Sequence, residues 1–189
     1  MKKPNFNKWK TLTSEDLFSS GFVKMRRESC ELPDGRVMPR YFIMDFPDWV
    51  NIFPVTSEGK ILLIRQYRHP SQKVHIELPG GSTEPKLSES PQQAAERELL
   101  EETGYRGNEV INLGYHYPNP ALQSNRMHTF LILGCEKVAE PQWDEFEELE
   151  NFIVTREQLD QLILSGDLDH SVMMASLMQG LTALKARNL

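Results

Sequence analysis

Two segments of the chain are rich in apolar residues with few interruptions, Trp49 to Val55 and Ile61 to Tyr67, and Ser57-Glu58-Gly59 separates them. Runs of this length with branched and aromatic side chains predict strands buried on both faces, joined as a hairpin. More mixed runs predict further strands over 21–30 and 37–46, around the turn Pro33-Asp34-Gly35, and over 74–78, 110–115, 127–135 and 151–154. Helices are announced by their ends. Ser90 as N-cap, Pro91 in the first helical position, Gln93 completing a capping box and Gly104 as terminator predict a helix over 91–103. Thr155 with Gln158 opens a second helix that stops at Gly166, and a third over 171–186 carries Met and Leu at helical spacing, read as core packing. The pattern is that of an α+β protein with a mixed sheet.

Composition narrows the partners. The 189 residues suffice for one domain with a real core plus an appendage, and 39% hydrophobic with 25% charged residues is ordinary for a globular protein. A net charge of -6 argues against a general nucleic-acid binder while leaving room for a nucleotide held by a local arginine pocket. Cys30 and Cys135 stand far apart in apolar contexts, which suits buried free thiols in a reducing compartment rather than a disulfide framework or a zinc site. The first ten residues lead into no apolar stretch, so no signal peptide is expected. No run approaches the ~18 apolar residues of a membrane span. The expected location is the cytoplasm.

The stretch AAERELLEETGY puts Glu98, Glu101 and Glu102 three and four residues apart on one helix face, where like charges each cost a few tenths of a kcal/mol. The only basic residue within that helix is Arg97. A solvated acidic face is one reading. A cation-loaded face is the other, since Mg²⁺ takes carboxylate oxygens and keeps waters for substrate phosphates. The surroundings favour the second: Gly80-Gly81 precedes the helix, Glu89 sits before its cap, and Arg97 adjoins Glu98.

The stretch GSTEPKLSESPQQAAERELLEETGY, from Gly81 to Tyr105, resembles the signature of the Nudix hydrolase superfamily: a glycine, a glutamate, then Arg-Glu, an aliphatic residue, any residue, Glu-Glu, any residue, Gly and an apolar residue. Its second half is complete from Glu89 through Arg97-Glu98-Leu99-Leu100-Glu101-Glu102-Thr103-Gly104-Tyr105. Seven residues separate Gly81 from Glu89 where the family has five, which reads as an insertion in the loop before the helix. The resemblance implies a Nudix fold, an α/β/α sandwich around a mixed β-sheet, and water attack on a nucleoside diphosphate linked to another group. It also implies Mg²⁺, with Mn²⁺ as a substitute, held by Glu98 and Glu102 together with Glu101 and a carbonyl at Gly81. Glu101 is either a third ligand or an orienting group, Arg97 braces a glutamate, and Glu89 either joins the metal site or caps the loop.

Two flanking stretches, Arg65-Gln66-Tyr67-Arg68 and Tyr117-Pro118-Asn119-Pro120, resemble the ADP-ribose and nucleoside-diphosphate-sugar pyrophosphatase branch, although that branch has glycine where Ala121 stands. Arginine's planar fork suits Arg68 to a phosphate; Pro120 marks the branch. Arg126 and His128 alternate onto one face, for substrate or for a structural ion pair. In this branch a loop after the last long strand brings a glutamate over the metals as base, matched by Glu145 and Glu147, with Glu140 a weaker candidate.

Residues 1–47 exceed what a catalytic core over 48–189 requires. In the branch such a segment forms an antiparallel β extension that exchanges across a homodimer. Phe46, Trp49 and Phe53 are then candidates to stack on the base, with core packing the favoured role for Phe53, and Arg26, Arg27 and Arg40 are candidates to serve the phosphates. The expected function is Mg²⁺-dependent hydrolysis of ADP-ribose or another nucleoside diphosphate sugar, a small-molecule substrate, with neither nucleic acid nor membrane as partner. The alternatives are hydrolysis of a dinucleoside polyphosphate and a non-catalytic sugar-nucleotide sensor, the latter disfavoured by the intact glutamates.

Overall fold

The computed structural model describes residues 7–84 and 87–188. The first six residues, assigned above to the N-terminal extension, and residues 85 and 86 of the motif loop lie outside the described residues. The chain divides into two compact units, one comprising residues up to Pro47 together with Tyr117–Asn125, the other Asp48–His116 with Arg126–Leu189.

The first unit is built on a three-stranded antiparallel sheet, β1 (Lys10–Ser19), β2 (Lys24–Glu31) and β3 (Val37–Asp45), in the order β1-β2-β3. Strand β1 was not predicted. Its register slips between Thr11 and Thr13 and again between Asp16 and Phe18, and bulges of this kind break the two-residue period by which a strand is read. Every residue of β1 is exposed, so neither face had to be apolar. The segment Tyr117–Asn125 joins β3 of this sheet. The Met44 N–H donates to Leu122 O at 2.8 Å, Ser124 N–H to Met44 O at 3.2 Å, Tyr41 hydroxyl to Ala121 O at 3.0 Å and Ser124 hydroxyl to Asp45 at 2.5 Å.

The second unit holds an eight-stranded mixed sheet with helices on both sides. Its strands are β4 (Trp49–Thr56), β5 (Ile61–Arg68), β6 (Lys73–Glu77), β7 (Gly80–Ser82), β8 (Tyr105–Arg106), β9 (Glu109–His116), β10 (Met127–Lys137) and β11 (Leu149–Val154). The helices are α1 (Pro91–Thr103), α2 (Arg156–Ser165) and α3 (Ser171–Ala186). The expected hairpin of β4 and β5 is a single rung, Val55 opposite Ile61. Beyond it the strands part: β4 runs parallel to β10 and antiparallel to β7, while β5 pairs with β6 and β11.

Because side chains alternate across a strand, the continuous apolar runs feed two cores. Phe53, Val55, Ile61, Leu63 and Leu131 point to the side of α2 and α3, where Leu159, Met173, Leu177 and Leu184 meet them. Val50, Ile52, Leu62, Phe130 and Ile132 point to the other, against Ala94, Ala95 and Leu99 of α1. Of the α3 methionines read as core packing, Met173 is buried in this core and Met174 packs against it, whereas Met178 is 65% exposed and faces away from it. Among the described residues no helix is long and apolar enough to cross a membrane.

Candidate active site

Helix α1 begins and ends as its sequence dictates. Gln93 N–H donates to Ser90 Oγ at 3.2 Å and Ser90 N–H to Gln93 Oε1 at 2.8 Å, closing the capping box, and Gly104 ends the helix at φ 75°. Packing its small apolar face on the sheet fixes the helix rotation. Glu102 therefore turns inward and is 4% exposed, and Glu98 lies one turn before it at the rim.

Arg97 is the hub beside them. It donates from Nε and Nη2 to the two oxygens of Glu89, at 3.1 and 2.9 Å, from Nη1 to Glu98 at 3.0 Å and Glu101 at 2.9 Å, and from Nη2 to Ser82 O at 3.1 Å. That accounts for all five guanidinium N–H groups. Glu89 also accepts the Glu84 N–H at 2.7 Å, so its carboxylate closes the loop between β7 and α1. The Arg97 hydrogen bond holds Glu89 below the usual carboxylate range.

The inner carboxylates are poorly compensated. Burial raises Glu98 to about 7 despite Arg97, with Glu101 and Glu147 adding like charge. Glu102 is raised well above the usual range by burial first and then by Glu98 and Glu147, against a single hydrogen bond from Gly80 N–H at 2.8 Å. The glycine pair is needed for this approach. A Cβ on Gly80 would collide with Val50 O, and one on Gly81 would press on the Glu98 carboxylate.

Glu147 comes from the acidic segment between β10 and β11. It is half-buried there while Glu140, Glu145 and Glu148 are exposed. Glu140 pairs with Lys137 at 2.9 Å. Arg68 closes the other side. Its Nε and Nη2 grip the fully buried Glu77 at 3.1 and 2.7 Å, and its charge is coupled to Glu102 and Glu147. Nη1 has no partner among the described residues. His170 donates to Glu77 from Nδ1 at 3.1 Å. Burial works to raise Glu77, but the bonds from His170 and Arg68 outweigh it and hold it at about 2.

The remaining predicted site residues are more dispersed. Trp49 opens β4 opposite Ser82 and Met127, and its N–H donates to Arg126 O at 2.8 Å. The Arg126 guanidinium lies 4.7 Å from the Tyr115 ring centroid, and His128 packs beside the same ring, so both share a face. His128 Nε2 meets Asp48 at 3.0 Å. In the first unit, Arg26 is engaged by Asp45 at 2.7 Å and by Glu28, Arg27 by Glu15, Arg40 is exposed on β3, and Pro120 lies in the turn beside Ala121. Phe53 is fully buried in the core, and Phe46 approaches Phe22 edge-on at 5.6 Å between centroids.

The Nudix domain family matches residues 46–177. The chain belongs to the Nudix family. A second match, to the nucleoside diphosphate sugar hydrolase N-terminal domain, covers residues 9–43. This Nudix chain is 33% identical over 160 residues to an ADP-ribose pyrophosphatase of Bacillus subtilis (strain 168), spanning 84% of this chain and 85% of that protein. It is 34% identical over 143 residues to a methanol dehydrogenase activator of Bacillus methanolicus, spanning 74% and 76%. A solved structure described as an ADP compounds hydrolase superimposes with a TM-score of 0.84 over 98% of both chains, at 22% identity, which speaks for the fold.

Nudix hydrolases generally use a divalent metal ion. Among the described residues no three imidazole, thiol or carboxylate groups already stand as a metal cage, since Arg97 engages Glu98 and Glu101. The donor set nonetheless fits a hard cation. The carboxylates of buried Glu102 and half-buried Glu98 stand one turn apart and repel each other, Glu147 adds like charge, and the backbone of Gly80 and Gly81 lies against them.

Sequence reasoning missed Glu77, Trp143 and Asn151 around this Nudix site. A lone glutamate inside the strand run Val74 to Leu78 was a usable signal, because such a residue is buried only when paired. Trp143, a single tryptophan in an acidic loop, gave none.

Proposed function

We propose that the protein hydrolyses the pyrophosphate bond of ADP-ribose or another nucleoside diphosphate sugar in a Mg²⁺-dependent reaction. Water adds to one phosphorus, the bridging P–O bond breaks, and a nucleoside monophosphate and a sugar phosphate leave. The observation that carries this reading is the crowding of Glu98 and Glu102 against Gly80 and Gly81, with the charges of Glu147 and Arg68 acting on the same site. The similarity to an ADP-ribose pyrophosphatase over most of both chains supports the substrate class.

Glu98 and Glu102 would hold the Mg²⁺, with Glu101 released from Arg97 and a carbonyl at Gly81 completing the set. When bound, the ion supplies charge neutralisation for the phosphates and activation of water. Glu147 accepts the proton of the attacking water, because it is the loop carboxylate whose charge reaches Glu98 and Glu102. Arg68 meets a phosphate oxygen through Nη1 while Glu77 keeps its other edge fixed. Trp49, Arg126, Pro120, Arg26 and Arg40 remain our candidates for the base, sugar and distal phosphate.

We assign the protein to the cytoplasm, where its buried free thiols Cys30 and Cys135 stay reduced. We also assign it a homodimer, because Trp9, Leu12, Phe18, Phe22 and Phe42 of the first unit are exposed.

The test is incubation with Mg²⁺ and a panel of ADP-ribose, GDP-mannose, UDP-glucose, ADP-glucose and a dinucleoside tetraphosphate, reading nucleoside monophosphate, with Glu102→Gln beside it. Turnover of sugar nucleotides that the variant loses by about a thousandfold or more is expected for a removed metal ligand. Tight metal-free binding of a sugar nucleotide without turnover would make the protein a sensor. Light scattering on the same sample reads twice the 21.8 kDa chain mass if the dimer forms.

A further inference from the structure

The loop that carries Glu147 is tied to the last turn of α1 at both ends. On leaving β10, Val138 and Ala139 N–H donate to Gly104 O at 2.9 and 3.1 Å. Gln142 N–H then donates to Glu101 O at 2.8 Å, and Trp143 Nε1 to Glu102 O at 2.9 Å. On the return, Asn151 Nδ2 of β11 donates to the same Glu102 O at 3.0 Å. A helix C-terminus leaves its last carbonyls without partners and carries partial negative charge, so N–H donors from a neighbouring loop are strongly held there. Beyond Trp143 the chain turns on itself, Glu147 N–H to Asp144 O at 3.0 Å and Asp144 N–H to Glu147 Oε2 at 3.3 Å. Trp143 is therefore the last tether to α1 before the glutamate.

We infer that Trp143 is a positioning residue for the hydrolysis, its indole N–H locking the loop to Glu102 O so that the Glu147 carboxylate stays over Glu98 and Glu102. This rests on the reading of Glu147 given above. The same peptide that presents the Glu102 carboxylate to the site anchors the loop, so the two groups share one reference point. The tether is dispensable for folding on two counts: Trp143 is 45% exposed, and Asn151 still satisfies the carbonyl when the indole is gone.

The experiment compares Trp143→Phe, Glu147→Gln and the double variant by kcat and KM on the best sugar nucleotide, with Tm measured for each. Trp143→Phe keeps an aromatic ring and removes the donor. It is expected to lower kcat about tenfold, the equivalent of one hydrogen bond, with KM and Tm nearly unchanged. In the Glu147→Gln background the same change is expected to cost nothing further, because the group it aims is gone. An equal loss in both backgrounds, or a kcat unchanged in Trp143→Phe while Glu147→Gln is impaired, overturns the positioning role. Full activity in Glu147→Gln alone overturns the reading of Glu147 itself, and the inference with it.

Discussion

Arg97 and Glu89 face each other fork to fork, Nε and Nη2 on the two carboxylate oxygens at 3.1 and 2.9 Å, with the Glu89 side chain only 8% exposed. This pair couples the loop before α1 to the later turns of the helix, since the same guanidinium reaches Glu98, Glu101 and Ser82 O.

Lysine cannot reproduce that fork. Arg97→Lys is expected to lower stability by about 2–4 kcal/mol, as for a largely buried pair broken from one side. Glu89→Gln, which keeps an acceptor for the Glu84 N–H, is expected to cost about half of that. Urea unfolding of the two variants checks the ranking. A Glu89→Gln protein as stable as the parent but unable to bind Mg²⁺ would make Glu89 a ligand instead of a brace.

Gly81 offers a separate test of the carboxylate geometry. Its backbone is outside the left-handed region, so alanine fits the chain, but the new methyl would stand 2.7 Å from the farther Glu98 oxygen. Glu98 must swing aside. Gly81→Ala is expected to fold with a stability change of about 1 kcal/mol or less. Its kcat/KM should fall about a hundredfold, the scale of a displacement near 1 Å at a reacting centre. Steady-state kinetics beside a melting curve separate the two effects.

Acid should attack the protein at Glu77. Its folded value of about 2 lies below the ordinary 4.5, so its contribution is fully present above pH 4.5 and disappears as pH falls towards 2. The size is about 3 kcal/mol for a fully buried carboxylate shifted this far. In Glu77→Gln that part of the acid dependence should vanish, leaving a flatter stability curve between pH 5 and 3. Denaturant midpoints across that range measure it, and an unchanged slope in the variant would remove Glu77 as the cause.

Local signals were legible in the sequence where they were self-contained. Ser90, Pro91, Gln93 and Gly104 set the ends of α1 by hydrogen bonds within the helix itself, and the paired apolar runs foretold a sheet covered on both faces. What depended on distant partners was not legible. Val55 and Ile61 make the only rung between β4 and β5 because each strand has better neighbours elsewhere, and nothing near the turn encodes them. The crowding of Glu98, Glu101 and Glu102 on one helix face was legible as repulsion. Its partial relief by one arginine shared with Glu89 required the loop to fold back, and the loop length alone did not convey that.

The segment Tyr117–Asn125 has a consequence for anyone dissecting this chain. Its hydrogen bonds run to Tyr41, Met44 and Asp45, although in sequence it interrupts the larger unit between β9 and β10. The boundary between the units is therefore crossed at three places along the polypeptide rather than one. A single cut after Pro47 would not yield a self-sufficient fragment, for it would strand a loop whose bonding partners had been discarded. Grafting the small sheet onto another scaffold would require those nine residues, 117–125, to be transplanted with it. Over evolutionary time, insertions between β9 and β10 would be constrained by strands more than seventy residues upstream.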